Sequence, residues 1–193
     1  MHTADHVETL KPTLKSKVRN ITDESVMMCY QCGKCAAGCP LGEEMDYSPN
    51  QILRMLQLGM DELDEKILGS MAIWLCLTCE TCMARCPKEV DIPVIMDFLR
   101  SESIACGKVN PKAKNIIAFH KTFLDSIRLT GRLQEVGLIA GYKMRTGHLL
   151  QDVNVAPTLF FNGKLSIFPH LTKGRDSIKR IFERTTLVKE DNK

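Results

Sequence analysis

Two cysteine runs, offset from one another by 47 residues, constrain this chain more than any other feature. Cys29-x-x-Cys32-x-x-Cys35-x-x-x-Cys39-Pro40 recurs as Cys76-x-x-Cys79-x-x-Cys82-x-x-x-Cys86-Pro87, and every position shows the same offset of 47. So strict a repeat predicts two related loops that face one another. Three cysteines at two-residue intervals let a tight loop wrap a single compact object and reach three of its corners. The fourth, ahead of proline, stands where the chain turns away. A [4Fe–4S] cube has four iron corners that each take one thiolate, and in two-cluster ferredoxins the fourth cysteine ligates the other cube. On that pattern Cys29, Cys32, Cys35 and Cys86 hold one cluster, while Cys76, Cys79, Cys82 and Cys39 hold the other. Cross-ligation of this kind draws the loops together, so cofactor binding and folding support each other.

Two other uses of cysteine compete with this reading. Structural zinc takes four cysteines too, but as two separated pairs rather than three consecutive C-x-x-C steps. A secreted disulfide scaffold would be smaller and would carry a signal peptide. Here Met1 to Asn20 is polar, with no apolar segment inside it. No apolar run approaches the roughly 18 residues of a spanning helix. The longest, Met71 to Leu77, has seven. The expected protein is therefore soluble and cytoplasmic. Its formal charge of +3 conceals an asymmetry, because residues 1 to 106 carry a net −6 and residues 107 to 193 a net +9. No base-stacking motif accompanies the basic half, so it reads as a solvated face and not as a nucleic-acid surface.

Around the loops the pattern is helical, and the expected fold is mostly α: an α-helical ferredoxin-type domain with two cross-ligated clusters and a helical C-terminal extension. Ser48-Pro49 opens one helix that stops at Gly59, and Asp61 opens a second that ends at Gly69. Asp91 and Pro93 start a helix to about Cys106, and Asn110-Pro111 start one to Thr130. Ile116, Ile117, Phe123, Leu124 and Ile127 recur there at helical spacing. Further helices are expected over Arg132 to Arg145 and Asp176 to Arg184. Thr158 to Phe161 and Leu165 to Phe168 flank Asn162-Gly163 as a hairpin candidate, although Pro157 and Pro169 favour an irregular extended segment. The division is a mobile segment over 1–24, the two-cluster domain over 25–107, and a partner-docking extension over 108–193.

Beside the cysteines, Met27, Met28, Trp74, Leu75, Leu77 and Met83 read as core packing, with an apolar shell around the clusters as the alternative. Gly33 and Gly38 allow tight loop geometry. Lys34 and Arg85 either offset cluster charge or are simply solvated. Cys106 lies outside both motifs and reads as a free cysteine. His2, His6, His120, His148 and His170 form no cluster. No phosphate-binding glycine pattern and no acid–base or nucleophile constellation appears, so no catalytic residue is expected.

The doubled motif, with Tyr30-Gln31 and Gly33-Lys34 in the first loop and Trp74-Leu-Cys-Leu-Thr-Cys79 in the second, resembles the iron–sulfur C subunit of heterodisulfide reductase from methanogenic archaea. Gly163-Lys-Leu-Ser-Ile-Phe-Pro-His170, followed by a basic helix, resembles that protein as well. The resemblance implies a non-catalytic electron-transfer subunit of an oxidoreductase complex acting in methanogenesis. One partner would be the flavin-containing A subunit, fed by a hydrogenase or formate dehydrogenase module. The other would be the catalytic B subunit, which reduces the coenzyme M–coenzyme B heterodisulfide. Catalytic subunits carry Cys-Cys-Gly segments, and none occurs here. Relay subunits of succinate, glycerol-3-phosphate or lactate oxidoreductases share the doubled motif, but many add a [2Fe–2S] domain or Cys-Cys-Gly segments.

Overall fold

A computed structural model describes residues 12–149, 156–162 and 172–190. Helices and two short 3₁₀ turns make up its regular structure, and no strand occurs among the described residues. The mostly-α expectation therefore holds. The chain divides into two compact units, Met1–Ala113 and Lys114–Lys193. No helix among the described residues is long and apolar enough to cross a membrane.

The first unit contains α1 (Leu14–Thr22), α2 (Lys34–Ala37), α3 (Pro49–Leu58), α4 (Asp61–Leu68), α5 (Ala72–Leu75), α6 (Thr81–Ala84) and α7 (Ile92–Ala105), with a 3₁₀ turn at Val26–Met28. Helix α3 begins where Ser48-Pro49 predicts: the Ser48 N–H donates to Gln51 Oε1 at 2.8 Å, and Pro49 occupies the first turn. Asp91 caps α7 by accepting from the Val94 N–H at 3.1 Å. Apolar stripes from three helices make the core: Ile52, Leu53 and Leu56 of α3, Ile67 of α4, and Ile92, Ile95, Met96 and Leu99 of α7 are all but sealed from solvent. Each such side chain contributes about 1.5–3 kcal/mol by leaving water. Helix α7 packs against α1, α4, α5 and α6, and the buried Ser103 hydroxyl donates to the Leu68 carbonyl at 2.8 Å. This helix is the spine of the unit.

The segment expected to be mobile, 1–24, contains α1. Its apolar positions are sparse, but Leu14 and Val18 lie four residues apart on one helical face and both are buried. Lys17 on the same helix pairs with Glu102 of α7. A polar chain with one short apolar stripe reads as a tail until α7 supplies the surface that covers the stripe.

The second unit contains α8 (Lys114–Thr130), α9 (Glu135–Thr146), α10 (Ala156–Phe161) and α11 (Arg175–Glu190), and a 3₁₀ turn at Pro111–Ala113 leads into it. Helix α9 packs along α8. Arg145 donates to Thr122 Oγ1 at 2.8 Å and pairs with Asp125 at 2.5 Å, while the Phe119 and Tyr142 rings meet edge to face at 6.2 Å. Of the apolar residues expected to line α8, Ile116, Ile117, Phe123 and Ile127 are half-buried and Leu124 is exposed. Helix α9 starts later than expected because Gln134 is extended and caps it, accepting from the Gly137 N–H at 3.0 Å. Thr158 to Phe161 is helical, not the strand of a hairpin: Pro157 sits in the first turn, where its fixed φ suits a helix. The other half of that candidate, Leu165 to Phe168, lies outside the described residues.

Asp64 of α4 yields a stability test. Its Oδ2 accepts from the Leu14 N–H at 3.0 Å, holding α1 against α4, while Oδ1 is buried and meets no protein donor among the described residues. Burial pushes this carboxyl above its ordinary range, Asp61 adds to the rise, and the Leu14 N–H with Lys15 and Lys17 opposes it. A raised folded-state value means that the contribution is complete below the unfolded value and is lost as pH rises through the folded one. Asp64→Asn removes that loss and keeps an acceptor for Leu14. Its advantage over the parent in urea midpoint should therefore grow as pH climbs through the carboxylate range. Parallel pH curves would refute this account.

Candidate metal centre

The 47-residue repeat extends from the cysteines into the backbone. Gln31 and Thr78, 47 residues apart, are both left-handed, with φ of 62° and 51°. So are Gly33 and Glu80, at 76° and 59°, the residues that open α2 and α6. Alternating handedness turns successive N–H groups toward one side, forming a concavity that favours negative charge. The N–H groups of Lys34 and Thr81 favour the thiolates of Cys32 and Cys79, and those of Ala36 and Met83 favour the thiolates of Cys35 and Cys82. Helices α2 and α6 pack against one another. Gly38 permits a further close approach, since a β-carbon there would stand 2.5 Å from Arg85 Nη1.

Scaffold helices hold each loop by the carbonyl of its first cysteine. Gln57 of α3 donates through Nε2 to the Cys29 carbonyl at 2.6 Å and to the Val26 carbonyl at 2.9 Å. Arg100 of α7 donates to the Cys76 carbonyl and, at 2.5 Å, to the Ile73 carbonyl. Asp46, between the loops in sequence, accepts from the Met71 and Ala72 N–H groups at 2.7 and 2.8 Å and fixes the start of α5.

The eight motif cysteines come together in two groups. Cys39, Cys76, Cys79 and Cys82 line one small cavity of about 20 Å³, partly open to solvent, with Leu41, Met45, Ile92 and Met96 on its walls. Around the other loop, the Tyr30 hydroxyl is pushed above its ordinary value by partial desolvation and then by the Cys32, Cys86 and Cys29 thiols. Gln31 Nε2 donates to Cys29 Sγ, and the Val90 N–H to Cys86 Sγ, both at 3.4 Å. The two groups adjoin, because α2, which carries Cys35, packs against α6, which carries Cys82.

Environment divides the thiols in the same way in each loop. Hydrogen bonds favour the thiolate at the exposed second cysteine: the Lys34 N–H first, with the Tyr30 hydroxyl, lowers Cys32, and the Thr81 hydroxyl and N–H lower Cys79. Burial raises the third, Cys35, and pushes Cys82 up to about 11. Burial also raises Cys76. Metal must displace a proton from such thiols, and it does so readily. Among the described residues, no three of His, Cys, Asp or Glu converge tightly enough for a single ion. A cube spreads its thiolates over four iron corners, so grouped but separated thiols and inward N–H groups fit it.

Comparison with known proteins agrees with this chemistry. Residues 25–90 match the family described as a 4Fe-4S dicluster domain. The iron-sulfur C 2 subunit of the CoB–CoM heterodisulfide reductase of Methanocaldococcus jannaschii is 34% identical over 167 residues, covering 86% of this chain and 74% of that protein. This chain belongs to the family of heterodisulfide reductase C subunits. The C subunit of the H2:CoB-CoM heterodisulfide,ferredoxin reductase of Methanothermobacter thermautotrophicus is 33% identical over 103 residues, and the match spans about half of each chain, 53% and 54%. The C2 subunit of the H2/formate:CoB-CoM heterodisulfide,ferredoxin reductase of Methanococcus maripaludis is 39% identical over 85 residues, 44% of each. Family and domain together make the chain an iron–sulfur protein with an electron-transfer role.

Several expectations change. Met27, Met28, Leu77 and Met83 are not core residues: Met27 is 60% and Leu77 62% exposed. They flank loops whose inner side is taken up by cysteines, so their own side chains point away. Trp74 is buried as expected. Cys106 is exposed and lies against Glu102 Oε1 at 3.6 Å, apart from both groups. Gln57, Arg100 and Asp46 carry no local signal, since each holds backbone 24 to 31 residues away.

Arg100→Ala leaves two carbonyls without their charged donor, at about 1.5–3 kcal/mol for each bond. We expect weaker retention of iron at the second loop, read as faster bleaching of cluster absorbance in a chelator. Arg100→Lys should restore only part, because an ammonium cannot fork between two carbonyls. Bleaching at the parent's rate would contradict the anchoring role.

Proposed function

We propose that this chain holds two [4Fe–4S] clusters, one on Cys29, Cys32, Cys35 and Cys86, the other on Cys76, Cys79, Cys82 and Cys39. Through them it relays single electrons from the flavin-containing A subunit to the catalytic B subunit, which reduces the coenzyme M–coenzyme B heterodisulfide. The observation that carries this reading is the presence of Cys39, from the first motif, in the cavity lined by Cys76, Cys79 and Cys82. The names of the relatives support the complex, and two of those names include H2 or H2/formate. That fits an upstream hydrogenase or formate dehydrogenase module. The clusters supply reversible one-electron storage. The chain supplies their thiolates, N–H donors to sulfur, and a short path between the groups where Cys35 and Cys82 adjoin. The proposed setting is the cytoplasm, in methanogenesis, with residues 108–193 as the docking extension. Exposed Met28 and Tyr30 beside one loop, and Leu77 and Met83 beside the other, offer apolar surface for those partners.

Cross-ligation is tested by serine substitution, since an alkoxide sometimes replaces a thiolate and shifts potential without emptying the site. With the two clusters distinguished by potentiometric EPR, Cys86→Ser should perturb the same resonance as Cys32→Ser, and Cys39→Ser the same one as Cys79→Ser. Grouping of Cys86→Ser with Cys79→Ser would mean that each motif closes its own cube.

The relay role has its own test. The cluster-loaded chain alone should accept electrons from a strong reductant yet leave the heterodisulfide intact until the catalytic subunit is added. Steady-state disulfide reduction by the pure chain would overturn the role.

A further inference from the structure

The two loops share cysteine spacing and backbone handedness but not charge. At the left-handed position that opens the short helix, the first loop has Gly33 and the second Glu80. At the next position, two residues past the exposed second cysteine, the first has Lys34 and the second Thr81. The loops thus differ by two units of charge at matched places. Glu80 is the costlier choice: a non-glycine residue in the left-handed region gives up about 1 kcal/mol, and Gly33 shows that the turn accepts glycine. Arg85, the second motif's counterpart of Gly38, returns one positive charge, but its guanidinium lies against Gly38 of the first motif and so belongs to neither loop alone. Arg100 donates to the Cys76 carbonyl beside the second loop, but its charge is paired with Asp97 at 2.7 Å. Arg54 shares a recess with Cys29, Tyr30 and Gln31 on the first loop. Side-chain donors to sulfur are also unequal at the left-handed positions. Gln31 donates to Cys29 Sγ, but the hydroxyl of its counterpart Thr78 turns to the Leu77 carbonyl at 2.7 Å.

Reduction adds one negative charge to a cluster. Nearby cations and N–H donors favour the reduced form and a nearby carboxylate opposes it, which are among the protein's levers on potential. We propose that Lys34 and Gln31 on one loop, and Glu80 on the other, order the relay. The cluster on Cys29, Cys32 and Cys35 takes the higher reduction potential and the cluster on Cys76, Cys79 and Cys82 the lower. An electron from a reduced one-electron donor, a flavin or cluster of a partner protein, enters at the second loop and crosses to the first. It leaves from there to an oxidised cluster of the acceptor protein. One electron enters, one leaves, and no bond is made or broken. The ordering rests on the two-cluster reading but not on which cysteine is fourth, because the charges belong to the triplets.

The test is a redox titration of the loaded full-length chain followed by EPR, with each resonance assigned through Cys32→Ser and Cys79→Ser. The first-loop cluster should be reduced first. Lys34→Glu should lower its midpoint and leave the other nearly in place. Glu80→Lys should raise the second-loop midpoint, and Glu80→Gly, which relieves the turn and copies the first loop, should raise it less. All three shifts should shrink as salt is added, since both side chains are exposed. A merely structural role would lower cluster content without moving midpoints. Two clusters reduced in the reverse order, or midpoints unmoved in fully loaded variants, overturn the ordering alone. A chain that binds a single cluster overturns the two-cluster reading and the ordering with it.

Discussion

The hydrogen bonds that Arg100 sends back to the carbonyls of Ile73 and Cys76 are what the second loop depends on. A loop that must keep its thiols turned inward has few apolar residues left to bury, so it cannot stabilise itself. Helix α7 solves this with its two sides. One face buries Ile92, Ile95, Met96 and Leu99 and is fixed by the core. The other presents a guanidinium whose fork matches two carbonyls at once. Gln57 does the same for the first loop with a neutral amide, from a helix whose Ile52, Leu53 and Leu56 are equally buried. Each cysteine loop thus inherits the rigidity of a packed helix through two bonds.

That rigidity sustains backbone which is unfavourable in isolation. Gln31, Thr78 and Glu80 are non-glycine residues in the left-handed region, and such positions cost about 1–3 kcal/mol each unless the surroundings impose them. The return is a set of N–H groups that favour thiolate at Cys32, Cys76 and Cys79. In the absence of iron, burial favours the protonated thiol at Cys35, Cys76 and Cys82, so the loops are built against their own cysteines. Metal binding reverses that balance, which couples loop folding to cofactor loading.

The cysteine spacing, the caps at Ser48 and Asp91 and the stop at Gly59 were legible because each depends on residues close in sequence. The family was legible for the same reason, through motifs that repeat in full. What escaped was held from afar or ran against local preference. Helix α1 looked like a tail because two buried residues, Leu14 and Val18, are too few to show a period. Thr158 to Phe161 carries β-favouring residues, yet Pro157 in the first turn accompanies a helix there. Gln57, Arg100 and Asp46 bind carbonyls and N–H groups that have no side-chain identity for a sequence to reveal. The left-handed turn at Glu80 could have been read from the repeat itself, by carrying the conformation of Gly33 forward 47 residues.

The same repeat accounts for how, on the proposed relay, a small unit could face two partners. In each loop the second cysteine is exposed and the third is drawn inward, Cys32 and Cys79 against Cys35 and Cys82. The third cysteines stand on α2 and α6, which pack against one another. On the proposed ligation, each cluster has one edge toward solvent and another toward its neighbour, so an electron entering at one exposed edge has its shortest way out through the buried junction. Exposed apolar residues stand at both edges, Met28 and Tyr30 at one, Leu77 and Met83 at the other. A pair of identical loops would give such a path no preferred sense. Lys34 and Glu80 break the equivalence with side chains that leave the core packing untouched, so a duplicated binding loop gains direction at two surface positions while its fold is kept.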